Sequence, residues 1–190
     1  MAFTTVVPTA DGTTNNWSPI STHYTMLDEG SGAINTNVGE YVFTTSSFRT
    51  ELFHFAHPSV IQANDTINYV RLAIHAKEGG SAQITPLAHD GSSSYTGTTI
   101  NLTTTWTSYY ETWGNNPATS AAWTIDEVNA FQFGGLSVIA MGRNTAYIAA
   151  LWLIINYTEA YNNDANGVST ETIRTINGIN ADDISKVNGV

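Results

Sequence analysis

The sequence predicts an all-β protein, an antiparallel sandwich or barrel. Only 12% of its residues are charged, about half the usual share, while Thr, Ser, Asn and Gly are abundant, which is the surface chemistry of a β-protein built from short neutral polar side chains. Short runs rich in Val, Ile, Tyr, Phe and Thr, punctuated by turn residues, recur from one end of the chain to the other. The most apolar stretch, Ala146 to Ile155, is about ten residues long, roughly half of what a membrane-spanning helix needs, and reads as a buried strand. With 190 residues, 42% of them hydrophobic and 11% aromatic, the chain has the means to bury one core and lies far from the composition of intrinsic disorder.

The elements follow in order. Phe3 to Val7 opens as a strand, and Asp11-Gly12 and Asn15-Asn16 are loop signals. A further strand is expected within Trp17 to Leu27, then Tyr41 to Thr45 and Glu51 to Phe55. Ile67 to His75 is so rich in Ile, Val, Leu and Tyr that it is expected to be central in a sheet. Gly79-Gly80 predicts a hairpin that pairs this strand with Ala82 to Ala88. Strands are also expected at Thr99 to Thr103 and Thr107 to Trp113. A short helical turn is predicted over Thr124 to Ala130, with Thr124 as its cap and Asp126 and Glu127 placed favourably at the positive end of the helix dipole. Phe131 to Ala140 and Thr145 to Tyr157 close the sheets. The last is too continuously apolar to face water on one side, so it is either central in a covered sheet or packed against another subunit.

After this body the chain changes character. Residues 159–172 turn polar (Asn162-Asn-Asp-Ala-Asn-Gly167) and read as a linker. The last segment states one phrase twice, Ile173-Arg-Thr-Ile-Asn-Gly-Ile179 and Ile184-Ser-Lys-Val-Asn-Gly-Val190. Each copy places apolar residues around an Asn-Gly pair, the dipeptide best suited to a tight turn with positive φ at both central positions. The expected organisation is a sandwich over 1–158, a linker over 159–172 and a tail over 173–190. The tail presents Ile173, Ile176, Ile179, Ile184, Val187 and Val190 to a surface, either its own domain or a neighbouring copy.

Charge and composition exclude several function classes. A formal charge of −10 with only six Lys and Arg opposes nucleic acid and an anionic membrane. Cysteine is absent, which rules out disulfides, a thiol nucleophile and thiolate-bound zinc. The N-terminus has no basic region and no apolar run of signal length, so Sec export is not expected.

Three residue classes bear on chemistry. The histidines, at 23, 54, 57, 75 and 89, have no accompanying ligand cluster, and His54 and His57 are three apart in a segment that is not helical. His75 can point to either face of its strand. No His-Glu-x-x-His, phosphate-binding glycine loop or nucleophile elbow is present. Asp28-Glu29 and Asp126-Glu127 are adjacent pairs, and adjacent strand residues point to opposite faces, so neither is by itself a glycosidase dyad. Asp11 and Asp28, with nearby carbonyls, are calcium candidates, and both also suit loop acids that start turns. Among the five tryptophans, Trp152 belongs to the core, while Trp17, Trp106 and Trp113 lie in or near polar loops as candidates for stacking on sugars or for rim packing. No cofactor or metal is implied.

Several stretches together carry a resemblance: Trp17-Ser with His23-Tyr24 and Asp28-Glu29, Ile67-Asn-Tyr-Val-Arg-Leu72, Tyr95-Thr-Gly-Thr-Thr99, Tyr109-Tyr-Glu-Thr-Trp-Gly-Asn-Asn-Pro-Ala-Thr119, and Ala122-Trp-Thr-Ile-Asp-Glu-Val-Asn-Ala130. They resemble jelly-roll domains of environmental bacteriophage structural proteins, which are themselves similar to carbohydrate-binding modules of the galactose-binding-like sandwich type. The phrase at 184–190 is similar to a C-terminal phrase of phage virion proteins. The resemblance implies a jelly-roll sandwich, a virion location after assembly in the host cytoplasm, and no catalytic motif. Ending at the motif suggests a small, self-contained virion component. The expected function is a non-enzymatic structural protein, a capsid decoration or a tail or fibre part. Its expected partners are copies of itself in a homo-oligomer and other virion proteins. The alternatives are a carbohydrate-binding module for host surface glycans and an extracellular filament subunit.

Overall fold

Alternating apolar residues between Thr66 and Gly79, and the apolar run from Thr145 to Thr158, form two strands of 14 residues each that pair antiparallel from end to end. The computed structural model describes residues 1–18, 22–27, 41–139 and 144–160, and beyond them two short strands at 175–176 and 179–180. The chain divides into two compact units, Met1–Glu159 and Ala160–Val190.

In the first unit the strands are Ala2–Val6 (β1), Pro8–Asn15 (β2), Val42–Thr44 (β3), Thr50–Phe55 (β4), Thr66–Gly79 (β5), Ala82–His89 (β6), Ser94–Thr96 (β7), Ile100–Asn101 (β8), Thr107–Trp113 (β9), Gln132–Ile139 (β10) and Thr145–Thr158 (β11). They make two antiparallel sheets, the all-β sandwich the sequence predicts. One runs β1-β11-β5-β9 with β3 also on β11; the other runs β2-β4-β10-β6-β7 with β8 also on β6. From β1 to β6 each successive strand lies in the sheet opposite its predecessor, as do β9, β10 and β11.

The core lies between the sheets. In β5, Val70, Leu72, Ile74 and Ala76 are buried at every second position, and in β11 Ile148, Leu151, Leu153 and Ile155 meet them from the neighbouring strand. A bulge at Ala149 lets Ile148 and Leu151 both face inward although they are three apart. The facing sheet supplies Phe53, Ile84 and Phe133. Around Phe133 the aromatic rings pack edge-on or tilted: Phe55 at 6.0 Å, Trp113 at 5.7 Å and Trp123 at 6.3 Å between centroids. Trp123 donates its indole N–H to the Trp113 carbonyl at 3.1 Å, which meets its one polar need.

A buried carboxylate ties the start of the chain to β4. Glu51 is fully buried, and its Oε2 accepts the backbone N–H groups of Asn16 at 2.9 Å and Trp17 at 3.0 Å. Its Oε1 lies 2.6 Å from Nδ1 of His23, which is also buried. Polar oxygens removed from water need hydrogen-bond partners, and here these come from three residues, Asn16, Trp17 and His23. Asp11 holds the same loop from β2, accepting the N–H of Tyr24 at 2.7 Å and of His23 at 3.2 Å.

Several expectations change at this point. The Gly79-Gly80 turn does not make a hairpin: β6 pairs with β10 in the other sheet, and Gly80, at φ +121°, carries the chain from one layer to the other. Asp11-Gly12 and Asn15, expected as loop signals, fall within a strand, Pro8 to Asn15, whose pairing with β4 is irregular across the Asp11-Gly12 stretch. Within 17–27 the described residues form a bridge at Ser18 and a 3₁₀ turn over Tyr24–Met26 in place of a strand. The helix forms at Ile125–Ala130 (α1) with a complete capping box, in which Thr124 accepts the Glu127 N–H and Glu127 accepts the Thr124 N–H.

In the second unit, Thr175–Ile176 (β12) and Ile179–Asn180 (β13) pair antiparallel, Ile176 opposite Ile179, with Asn177 and Gly178 between them in sequence. The second phrase, at 184–190, lies outside the described residues.

Two substitutions test this packing. A Cβ on Gly134 would run into the Glu51 carbonyl oxygen, so Gly134→Ala should lower stability by about 1–3 kcal/mol. Glu51→Ala would remove the acceptor of the Asn16 and Trp17 N–H groups and the partner of the buried His23 Nδ1 and should cost about 3–5 kcal/mol, both read by chemical denaturation with an unchanged m-value.

Candidate functional site

The parity of the strands decides which side chains meet solvent. In β5 the residues between the core positions, Tyr69, Arg71, Ala73, His75 and Lys77, lie on the outer face of the first sheet. From the flanking strands Ser108, Tyr110 and Thr112 come beside them in β9, and Tyr147, Ala150, Trp152 and Ile154 in β11. Trp152 packs there with Ala73 and Ala150 in a small second cluster. Phe43 of β3 lies opposite Tyr147.

One end of this face is an aromatic and cationic cluster. Trp106 enters from the turn before β9 and stacks on the His75 ring, with centroids 5.7 Å apart and planes 12° from parallel. Lys77 Nζ is 4.7 Å from the Trp106 ring centre and 5.4 Å from that of Tyr147. Tyr147 and Tyr41 meet edge-on at 5.3 Å and 82°, and Trp106 meets Tyr147 at 6.5 Å and 71°. The turn that carries Trp106 is braced by threonines: Thr103 donates its N–H to the Tyr109 hydroxyl at 2.9 Å and its hydroxyl to the Thr105 carbonyl at 2.9 Å, and its carbonyl accepts the Glu78 N–H at 2.8 Å. His75 Nδ1 is 3.0 Å from the Ser108 hydroxyl, and burial of its ring pulls its pKa below the usual 6.5. Towards the other end Arg71 lies over Tyr69 at 5.0 Å and Tyr110 at 6.0 Å and donates to the Thr112 hydroxyl at 2.8 Å.

Charge is segregated on these strands. β1, β3, β5, β9 and β11 together hold four residues with fixed charges, Arg71, Lys77, Glu78 and Glu111. The two cations are outward. Both carboxylates take the opposite phase, where Glu78 accepts the Ala82 N–H at 2.6 Å and Glu111 the Thr98 N–H at 2.7 Å. On these five strands the outward fixed charges are therefore both positive.

The predicted site residues separate accordingly. Trp17 and Trp113, expected as sugar-stacking candidates beside Trp106, are core residues with 3% and 9% exposure, and neither presents a ring to a ligand. Trp17 is sealed in by the Glu51 carboxylate on its backbone and by its indole N–H donated to the Arg49 carbonyl at 2.9 Å. Trp106 is the one tryptophan of five that is not buried. A signal in the sequence separates Trp106 from Trp113: they are seven residues apart, an odd number, which in extended chain sets two side chains on opposite faces. Asp11 accepts one backbone N–H on each of its oxygens, in keeping with a loop acid; Asp28 lies outside the described residues. Among the described residues no three His, Cys, Asp or Glu side chains come together as a metal site. Ile173, Ile184, Val187 and Val190 lie outside the described residues, and Ile176 and Ile179 are placed only as paired strand positions.

His75 offers a test by titration. Its lowered pKa means the folded state resists protonation while the unfolded chain takes a proton near 6.5, so its contribution to stability falls as the pH drops below 6.5 and levels off below the folded value. The His75 ring protons, followed by NMR, should titrate with a midpoint below 6.5, and Trp106→Ala, which uncovers the ring, should raise that midpoint. Compared with known protein families and with curated proteins, the chain matches none.

Proposed function

We propose that this protein is a non-enzymatic structural subunit of a bacteriophage virion, a capsid decoration or a tail or fibre part, which assembles through residues 173–190. The observation that carries this reading is the division of the chain into a β-sandwich with its own core and a small separate unit whose paired strands hold Ile176 opposite Ile179. A hairpin with strands of two residues is not stable alone in water, and ordering each backbone residue costs about 1–2 kcal/mol. Such a segment needs a surface. Burying an Ile or Val side chain returns about 1.5–3 kcal/mol, and the two phrases carry six of them. In a symmetric homo-oligomer every copy offers the same tail and the same receiving surface, so each added subunit gains from contacts already made.

The resemblance of the sandwich to phage jelly-roll domains supports the virion setting, and the passage of successive strands between sheets is in keeping with a jelly roll. Partners on this reading are further copies of the chain and neighbouring virion proteins, met in the host cytoplasm during assembly.

Light scattering tests the proposal. The full chain should be oligomeric, and a variant with Ile176→Asp and Ile179→Asp should fall to the monomer mass while keeping the far-ultraviolet signal of the sandwich. If the full chain is monomeric, or if the variant keeps the mass of the full chain, the reading is wrong.

A further inference from the structure

We propose that the outer face of the first sheet, around Trp106 and Lys77, is a binding platform for a carbohydrate that carries a carboxylate. The site goes beyond the assembly reading, because it lies on the sandwich and uses none of the tail.

Three observations carry the inference. The first is shape. Trp106 lies nearly parallel to the His75 ring, while Tyr147 stands edge-on to Trp106 and Tyr41 edge-on to Tyr147. A partly exposed indole with phenol rings edge-on beside it suits a sugar ring, whose C–H face packs on the indole and whose hydroxyls meet polar ring edges. A flat apolar protein surface asks for neither.

The second is charge. Lys77 is held at the centre of the cluster by two rings, and the fixed charges on the strands of this face are Lys77 and Arg71, with both carboxylates of those strands in the opposite phase. The net charge of −10 disfavours anions at long range, but at physiological ionic strength the screening length is about 8 Å, so a carboxylate in contact with Lys77 senses that ammonium far more than distant acids. A small acidic sugar is therefore favoured over a polyanion such as nucleic acid.

The third is rigidity. The threonine-braced turn fixes Trp106, and its stacking on His75 fixes the ring plane, so little freedom remains to be lost on binding.

Calorimetry with the full chain, using trigalacturonate as the acidic probe and maltotriose as the neutral one, tests the proposal. Trigalacturonate should bind and maltotriose should bind about tenfold more weakly or not at all. Trp106→Ala and Lys77→Gln should each weaken trigalacturonate binding about tenfold, with folding verified by the thermal transition, and Lys77→Gln should remove most of the preference for the acidic probe. Absence of trigalacturonate binding, equal binding of the two sugars, or unchanged binding by both variants would overturn it. Neither variant touches residues 173–190, so failure here leaves the mass measurement, and the assembly reading it tests, unaffected.

Discussion

The register of β11 against β5 is the constraint on which the rest of the sandwich depends. It runs from Thr145 opposite Gly79 to Thr158 opposite Thr66, and side chains alternate across it. In this register Leu72 and Leu153, and Ile74 and Leu151, are partners inside, while Lys77 and Tyr147, and Ala73 and Trp152, are partners outside. A slip of one residue along β11 would bring Trp152 and Ile154 against the core phase of β5 and turn Leu151 and Leu153 away from it. The core and the aromatic platform are thus two consequences of one ladder, and neither can change without the other.

Burial on both sides is what makes that ladder firm. β11 is flanked by β5 along its length and on its other edge by β3 over Ala146–Ile148 and β1 over Leu153–Tyr157, so in those two stretches its backbone is paired in both directions. The Glu51 network then closes the opposite sheet at its edge, where β2 is irregular and the loop from Asn16 to Tyr24 needs acceptors inside the fold. The protein relies on hydrocarbon in the middle and on a few saturated carboxylates where regular pairing fails. With 12% charged residues it has few others to spend on its surface.

Local features were legible in the sequence and distant partnerships were not. The Thr124 cap of the short helix and the central strand near Val70 follow from neighbours along the chain, and both are found. The pairing of β6 with β10 depends on the positive φ of Gly80 and on strands some 50 residues away, and a glycine pair looks the same before a hairpin as before a crossing between sheets. β2 was hidden because Asp11-Gly12 and Asn15-Asn16 are turn chemistry, which here serves an irregular edge strand. In β11 the bulge at Ala149 breaks the alternation that would have told inward from outward residues, so the sequence shows only an unbroken apolar run. For the site, polar neighbours drew attention to Trp17 and Trp113, whereas the odd spacing between Trp106, just before β9, and Trp113, at its end, separates the two; the burial of Trp17 depends on Glu51, 34 residues away, and has no local signal.

Cross-strand nuclear Overhauser contacts between β5 and β11 test the central claim most directly. The account predicts contacts joining Leu72 to Leu153 and Ile74 to Leu151, with Ala73 opposite Trp152. A ladder displaced by one residue, with Leu72 opposite Trp152 or Ile154, would contradict it and would remove both the core and the platform as described.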